Sequence, residues 1–90
     1  MAIALLFNGV GVTQAQYEQV LHEVTPDNKV AAGMLSHVAG PTTDGWCVFE
    51  VWESQEAVDQ FFQEKLGAAM RKANINVQPE VFQIQNTLQA

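Results

Sequence analysis

His37 is the residue of this sequence best suited to proton transfer, because it stands in an otherwise apolar extended segment. A histidine side chain titrates at about pH 6.5, so it can accept a proton from a substrate or hydrogen-bond to a ligand carbonyl. His37 has the strand parity of Leu35 and Ala39. We therefore predict His37 as a candidate general base. The alternative is a structural histidine, satisfied by a backbone carbonyl or by a dimer contact.

Two aromatic residues and one carboxylate accompany this histidine. Tyr17 lies on the apolar side of a predicted helix, and Trp52 lies in a predicted strand, where either ring could line a pocket. Glu50 is the one charge in the middle of that strand. It could act as an acid or a base, but we favour a structural role, paired across a dimer with a backbone group or with Gln83 or Gln85.

Other kinds of chemistry are excluded by composition. His22, the second histidine, falls outside the apolar side of its helix, and no third ligand stands at a matching spacing beside either histidine. Cys47 is the only cysteine, so a disulfide within the chain, a zinc cluster and a CxxC pair are excluded. Motifs for nucleotide binding, zinc proteases and serine hydrolases do not occur. We predict no metal and no cofactor.

The charge balance excludes further partners. Ten acidic residues against four basic ones give a net charge of −6, which repels nucleic acid and anionic membranes. No apolar run approaches the length of a membrane span, and the apolar start of the chain is predicted to be a strand. We expect a single cytoplasmic domain over residues 1–90.

The elements that must position these residues alternate in type. A proline at position 26 ends the first helix, and Thr13 and Ser54 are predicted N-caps. Periodicity predicts the order β-α-β-β-α-β. The six segments are Ala2 to Asn8, Gln14 to Val24, Gly33 to Ala39, Trp46 to Glu53, Gln55 to Ala73 and Val81 to Thr87.

This order is typical of an α+β, ferredoxin-like fold, with one four-stranded antiparallel sheet and both helices on one face. The third predicted strand is apolar on both sides, so the uncovered face needs a second copy of the chain. Strand register is not determined by sequence. We assign Trp46, Val48 and Glu50 to this homodimer interface.

Two segments, HVAGP from His37 and GWCVFEVWES from Gly45, resemble the dimeric α+β barrel superfamily, near its small antibiotic-biosynthesis monooxygenase-like members. Phe61-Phe62 and the segment from Pro79 to Phe82 extend the resemblance. It implies a homodimer with facing sheets and a ligand pocket between sheet and helices in each subunit. Known activities include cofactor-free oxygenation, haem degradation, and isomerase or cyclase reactions.

The haem-degrading branch has an Asn at the end of the first strand, a Trp in the third and a His on the second helix. Asn8 and Trp52 match, but Phe61 or Phe62 stands where the iron ligand is expected. The resemblance therefore implies no haem. The ligand-binding candidates are Tyr17, Trp52, Phe62 and Asn8. The predicted function is binding of a small aromatic or enolisable metabolite by a cofactor-independent monooxygenase- or isomerase-like enzyme; the alternative is a non-catalytic ligand-binding or structural homodimer.

Overall fold

Four strands form one antiparallel sheet in the computed structural model, which describes residues 1–89 of the chain. The sheet order is β2-β3-β1-β4, so the first and third strands are central. Helices cover one of its two faces, which confirms the predicted ferredoxin-like α+β fold. The strands are β1 (Ile3–Val10), β2 (Met34–Thr42), β3 (Gly45–Trp52) and β4 (Glu80–Gln83).

The first helix, α1 (Gln14–Val24), has the predicted bounds. Thr13 caps it by accepting a hydrogen bond from the Gln16 backbone N–H, and the Gln16 side chain accepts one from the Thr13 backbone N–H. This capping box satisfies two of the backbone donors that a helix start leaves free. Val20 and Val24 are buried on the inner side of α1, so the same side carries Tyr17 towards the sheet.

The second helical region differs from the predicted continuous helix. It consists of α2 (Gln55–Phe61), a π-helical turn over Phe62–Leu66, and α3 (Gly67–Lys72). Ser54 caps α2, as predicted, by accepting a hydrogen bond from the Ala57 backbone N–H. A π-turn contains more residues per turn than an α-helix, so it changes which side chains face the sheet.

The alternation along β3 corrects the predicted interface. Trp52 is fully buried and Glu50 is 6% exposed, both under the helices. Because residues two apart share a sheet face, Val48 and Trp46 face the helices as well. The assignment of Trp46, Val48 and Glu50 to the outer face is therefore wrong. The physical reason is that Trp52, the larger ring, fills the space beneath α2 and fixes the parity of the whole strand.

Five apolar side chains form two adjacent rows on the other side of the sheet, a patch that we call the open face. Phe49 pairs with Leu6 on one neighbouring strand and with Val38 on the other. Val51 and Phe82 lie in the next row, on either side of the fully buried Ala4. Val38 and Phe82 are 62% and 54% exposed in the single chain.

A β-bulge decides where His37 points. The pairing of β2 with β3 shifts between Met34 and Ser36, so one extra residue enters β2 at Leu35. Met34 and His37 consequently both face the helices, and Leu35 is 60% exposed. The predicted shared parity of Leu35 and His37 is wrong because of this bulge.

The remaining strand ends differ modestly from the predicted ones. Strand β2 continues to Thr42 rather than ending at Ala39, which leaves only Thr43 and Asp44 in the turn. Strand β4 ends at Gln83, although the Ile84 backbone N–H still donates to the Ala2 carbonyl. No helix in residues 1–89 combines the length and the apolar character that crossing a membrane requires.

Candidate functional site

A cavity of about 320 Å³ lies between the sheet and the helices. This volume is at the lower end of the range for sites that hold drug-sized molecules. Its wall is mainly apolar and includes the inner side of α1. Among the lining residues are Phe7, Val12, Val20, Leu21, Phe61 and Met70, together with the polar Tyr17, His37 and Glu50.

The hydroxyl of Tyr17 meets the imidazole of His37 at this wall. Tyr17 Oη is 2.6 Å from His37 Nε2, a short contact that joins α1 to β2. The two rings stack at 6.0 Å between centroids, with 20° between their planes. Both side chains are partly buried, so this hydrogen bond is shielded from competition with water.

The other imidazole nitrogen contacts Glu50. His37 Nδ1 is 2.8 Å from Glu50 Oε2, and the second carboxylate oxygen accepts the Trp52 indole N–H at 2.9 Å. When the carboxylate is ionised and the imidazole is neutral, Nδ1 carries the imidazole proton and Nε2 is left as an acceptor. Tyr17 therefore donates to His37, and His37 donates to Glu50. We call these three residues the polar chain.

The Tyr17 hydroxyl keeps its proton at neutral pH. Burial raises its pKa above the ordinary value of 10.0, and the negative charges of Glu50 and Glu18 raise the pKa further. Both causes disfavour the tyrosinate anion. The neutral hydroxyl can thus donate to His37 while it retains oxygen lone pairs for a ligand.

Trp46 lines the cavity with its ring, and its indole nitrogen is buried. Its ring lies 5.3 Å from the Tyr17 ring, and its buried Nε1 has no hydrogen-bond partner among the described residues. Leaving a buried donor unpaired costs about 1–3 kcal/mol. Because Nε1 has almost no accessible surface, a ligand oxygen in the cavity would reach it only after the indole ring moved.

The structure brings together only part of the predicted ligand-binding set. Tyr17 lines the cavity. Trp52 is fully buried beneath Phe61, with 5.3 Å between the ring centroids, and its indole N–H donates to Glu50. Phe62 is 42% exposed and borders a second cavity of about 230 Å³ beside β4. Asn8 is exposed and pairs with Cys47, outside the main cavity. Trp52, Phe62 and Asn8 thus lie outside the lining of the main cavity, and their predicted ligand contacts stay predictions.

Other lining residues were not predicted. Glu50 was assigned to the interface, and its register position opposite His37 is what joins it to the site. Lys29 borders the cavity from the loop after α1. No local sequence pattern indicates that either residue lines the cavity, because both placements depend on how distant segments pack. Within residues 1–89, no three His, Cys, Asp or Glu side chains are grouped to hold a metal ion.

Comparison with known proteins adds to the description of the fold. No family model and no curated protein matches the chain. A protein from Chloroflexus aurantiacus J-10-fl, assigned to the antibiotic biosynthesis monooxygenases, has a TM-score of 0.69 and 15% identity over 99% of this chain and 98% of that chain.

Two further structures have named activities. A mutant of SnoaB, a cofactor-independent oxygenase from Streptomyces nogalater, has a TM-score of 0.67 and 14% identity over 99% of this chain and 96% of that chain. The hydroxynitrile lyase from Passiflora edulis has a TM-score of 0.62 and 13% identity over 98% and 96%. At these identities the three structures show that the chain shares their fold.

Proposed function

We propose that this chain is a cofactor-independent enzyme that binds a small aromatic or enolisable metabolite in the cavity and removes a proton from it. The observation that carries this proposal is the polar chain, in which a carboxylate orients a histidine and the histidine accepts a hydrogen bond from a hydroxyl at the cavity wall. A base oriented by a carboxylate is the recurring arrangement of acid–base sites.

The surroundings of the polar chain support this function. The cavity wall is mainly apolar, which favours a flat organic body and strengthens electrostatic interactions inside the site. Trp46 and Tyr17 present aromatic rings to such a body.

Proton removal next to a carbonyl yields an enolate, which two reactions share as an intermediate. Return of the proton to a different carbon gives isomerisation, whereas attack of the electron-rich carbon on dioxygen gives oxygenation. An oxygenase and a lyase occur among the structural neighbours, so the fold does not select the reaction. Our proposal is therefore the proton-transfer step, in a monooxygenase- or isomerase-like reaction.

A non-catalytic ligand-binding or structural dimer is the second candidate. This candidate is favoured by the hydrogen bonds of His37, because both of its imidazole nitrogens already have partners within the protein. In that case the three side chains would serve to hold α1 on the sheet. Saturable binding without any proton exchange would distinguish this candidate from the enzyme.

Self-association through the open face is part of the proposal. Its five apolar side chains stand in two adjacent rows across four strands, and contiguous apolar patches of this kind are characteristic of protein interfaces. A second copy of the chain offers an identical, self-complementary patch related by a two-fold axis. We accordingly propose a homodimer with facing sheets.

Deuterium exchange tests the proposed function. Phenylacetone, 1-indanone and 2-tetralone carry exchangeable protons beside a carbonyl, and incorporation from D2O is followed by NMR. We expect the protein to accelerate exchange of at least one ketone, and His37→Gln to lower that rate by about 10²- to 10⁴-fold. His22→Gln, at the exposed second histidine, is the matched control. The enzyme proposal would be contradicted by a ketone that binds saturably, as read from tryptophan fluorescence, but whose protons exchange no faster than in buffer.

A further inference from the structure

We infer that Tyr17 is the group that exchanges the proton with the bound molecule, and that His37 and Glu50 act through it. This inference rests on the proposed function and deepens it. It differs from the prediction made from sequence, in which His37 is itself the base and Tyr17 positions the substrate. It also limits the substrate to molecules that can present an acidic carbon to a phenol oxygen.

The first argument is that His37 has no free nitrogen. Its Nε2 lies 2.6 Å from Tyr17 Oη and its Nδ1 lies 2.8 Å from Glu50 Oε2. A base must lie within hydrogen-bond reach of the proton that it removes. For a substrate to reach Nε2 directly, the Tyr17 hydroxyl would first have to leave.

The second argument is that Tyr17 has both capacities that a relay requires. Its hydroxyl donates one hydrogen bond, to His37, and its oxygen has lone pairs that this bond does not use. The side chain lines the cavity, and its ring lies against the rings of His37 and Trp46. These contacts hold the phenol oxygen in place before a ligand arrives.

The step balances without any additional reagent. The substrate C–H bond breaks and its proton forms a new O–H bond with Tyr17, while the original Tyr17 proton moves to His37 Nε2. The electron pair left on the carbon delocalises onto the carbonyl oxygen as an enolate. Tyr17 is neutral before and after the step, and the imidazolium that forms is stabilised by the adjacent Glu50 carboxylate.

This relay implies a class of substrate. Tyr17 alone is a weak base in its neutral form, so the C–H acid must be activated by a neighbouring carbonyl or by an equivalent electron sink. The acidic carbon must approach Tyr17 Oη to about 3–3.5 Å. A planar ketone whose body fills the apolar part of the cavity satisfies both conditions.

Tyr17→Phe tests the inference with the same ketones. It removes only the hydroxyl, so we expect binding, read from tryptophan fluorescence, to change by no more than about five-fold, because a single neutral hydrogen bond is worth roughly 1 kcal/mol. We expect the exchange rate at saturation to fall by about 10²-fold or more. The double variant Tyr17→Phe/His37→Gln should be no slower than the slower single variant, because the two groups act in series.

A different outcome would follow if His37 acted directly. Tyr17→Phe would then free Nε2, and exchange would continue at the wild-type rate or faster, which would overturn the inference. If the wild-type protein itself fails to accelerate exchange of a bound ketone, the proposed function fails instead. Circular dichroism on each variant, with His22→Gln as control, separates both results from loss of the fold.

Discussion

Glu50→Gln is expected to lower the ketone exchange rate by about 10²- to 10⁴-fold, the range that loss of the carboxylate produces in sites of this kind. Glu50 accepts hydrogen bonds from both the His37 Nδ1–H and the Trp52 indole N–H. Glutamine has one acceptor oxygen and one donor amide in these two places, so it can accept from only one of them. If the oxygen meets Trp52, the amide faces Nδ1 and favours the opposite tautomer of His37.

The opposite tautomer would disable the polar chain. His37 would carry its proton on Nε2, against the Tyr17 hydroxyl, and could no longer accept the Tyr17 proton. Glu53→Gln, three residues along the chain at an exposed position, makes the same chemical change and should leave the rate unaltered. If a folded Glu50→Gln variant exchanged the ketone protons at the wild-type rate, the carboxylate would have no part in the reaction.

Phe49→Glu is expected to convert the proposed dimer to a folded monomer. Phe49 lies at the centre of the open face, between Leu6 and Val38. In a two-fold interface each substitution occurs twice, and two unpaired carboxylates would be buried against apolar side chains. A cost of about 2 kcal/mol at each site raises the dissociation constant by about 10³-fold.

Light scattering after size-exclusion chromatography measures this change over a concentration series. Gln19→Glu introduces the same charge at an exposed position of α1 and should leave the dimer intact. Circular dichroism of Phe49→Glu should remain that of the wild-type protein, since Phe49 is not part of the core under the helices. A dimeric Phe49→Glu variant would place the interface elsewhere on the molecule.

Local signals in the sequence were sufficient to predict most of the fold. The Thr13 cap and the Pro26 stop determine both ends of α1, and alternation identified the strands. The inner side of β3 was assigned wrongly because both of its parities are apolar, and only the burial of Trp52 beneath α2 and Phe61 decides between them. The bulge at Leu35 follows from the pairing of two strands and has no signal within one strand.

The sequence predicts two residues of the candidate site, but it does not predict the hydrogen bonds that join them. His37 and Tyr17 were identified from residue type and setting, but 20 positions separate them and only the packing of α1 on β2 joins their side chains. Glu50 stands out as the one charge in the middle of its strand, but the sequence does not determine which face of the sheet it occupies. The sequence predicts Phe62 as a ligand contact, whereas its neighbour Phe61 lines the main cavity and Phe62 is 42% exposed, because successive residues of a helix point about 100° apart.

The tautomer of His37 tests the polar chain most directly. A long-range ¹H–¹⁵N correlation spectrum distinguishes the protonated nitrogen of a neutral imidazole from the unprotonated one, and the chain has only two histidines, His37 and the exposed His22. At a pH where the ring is neutral, we expect His37 to carry its proton on Nδ1, with Nε2 accepting from Tyr17, and the pattern to be lost in Glu50→Gln. A neutral His37 that carries its proton on Nε2 would contradict the polar chain and the proton transfer proposed from it.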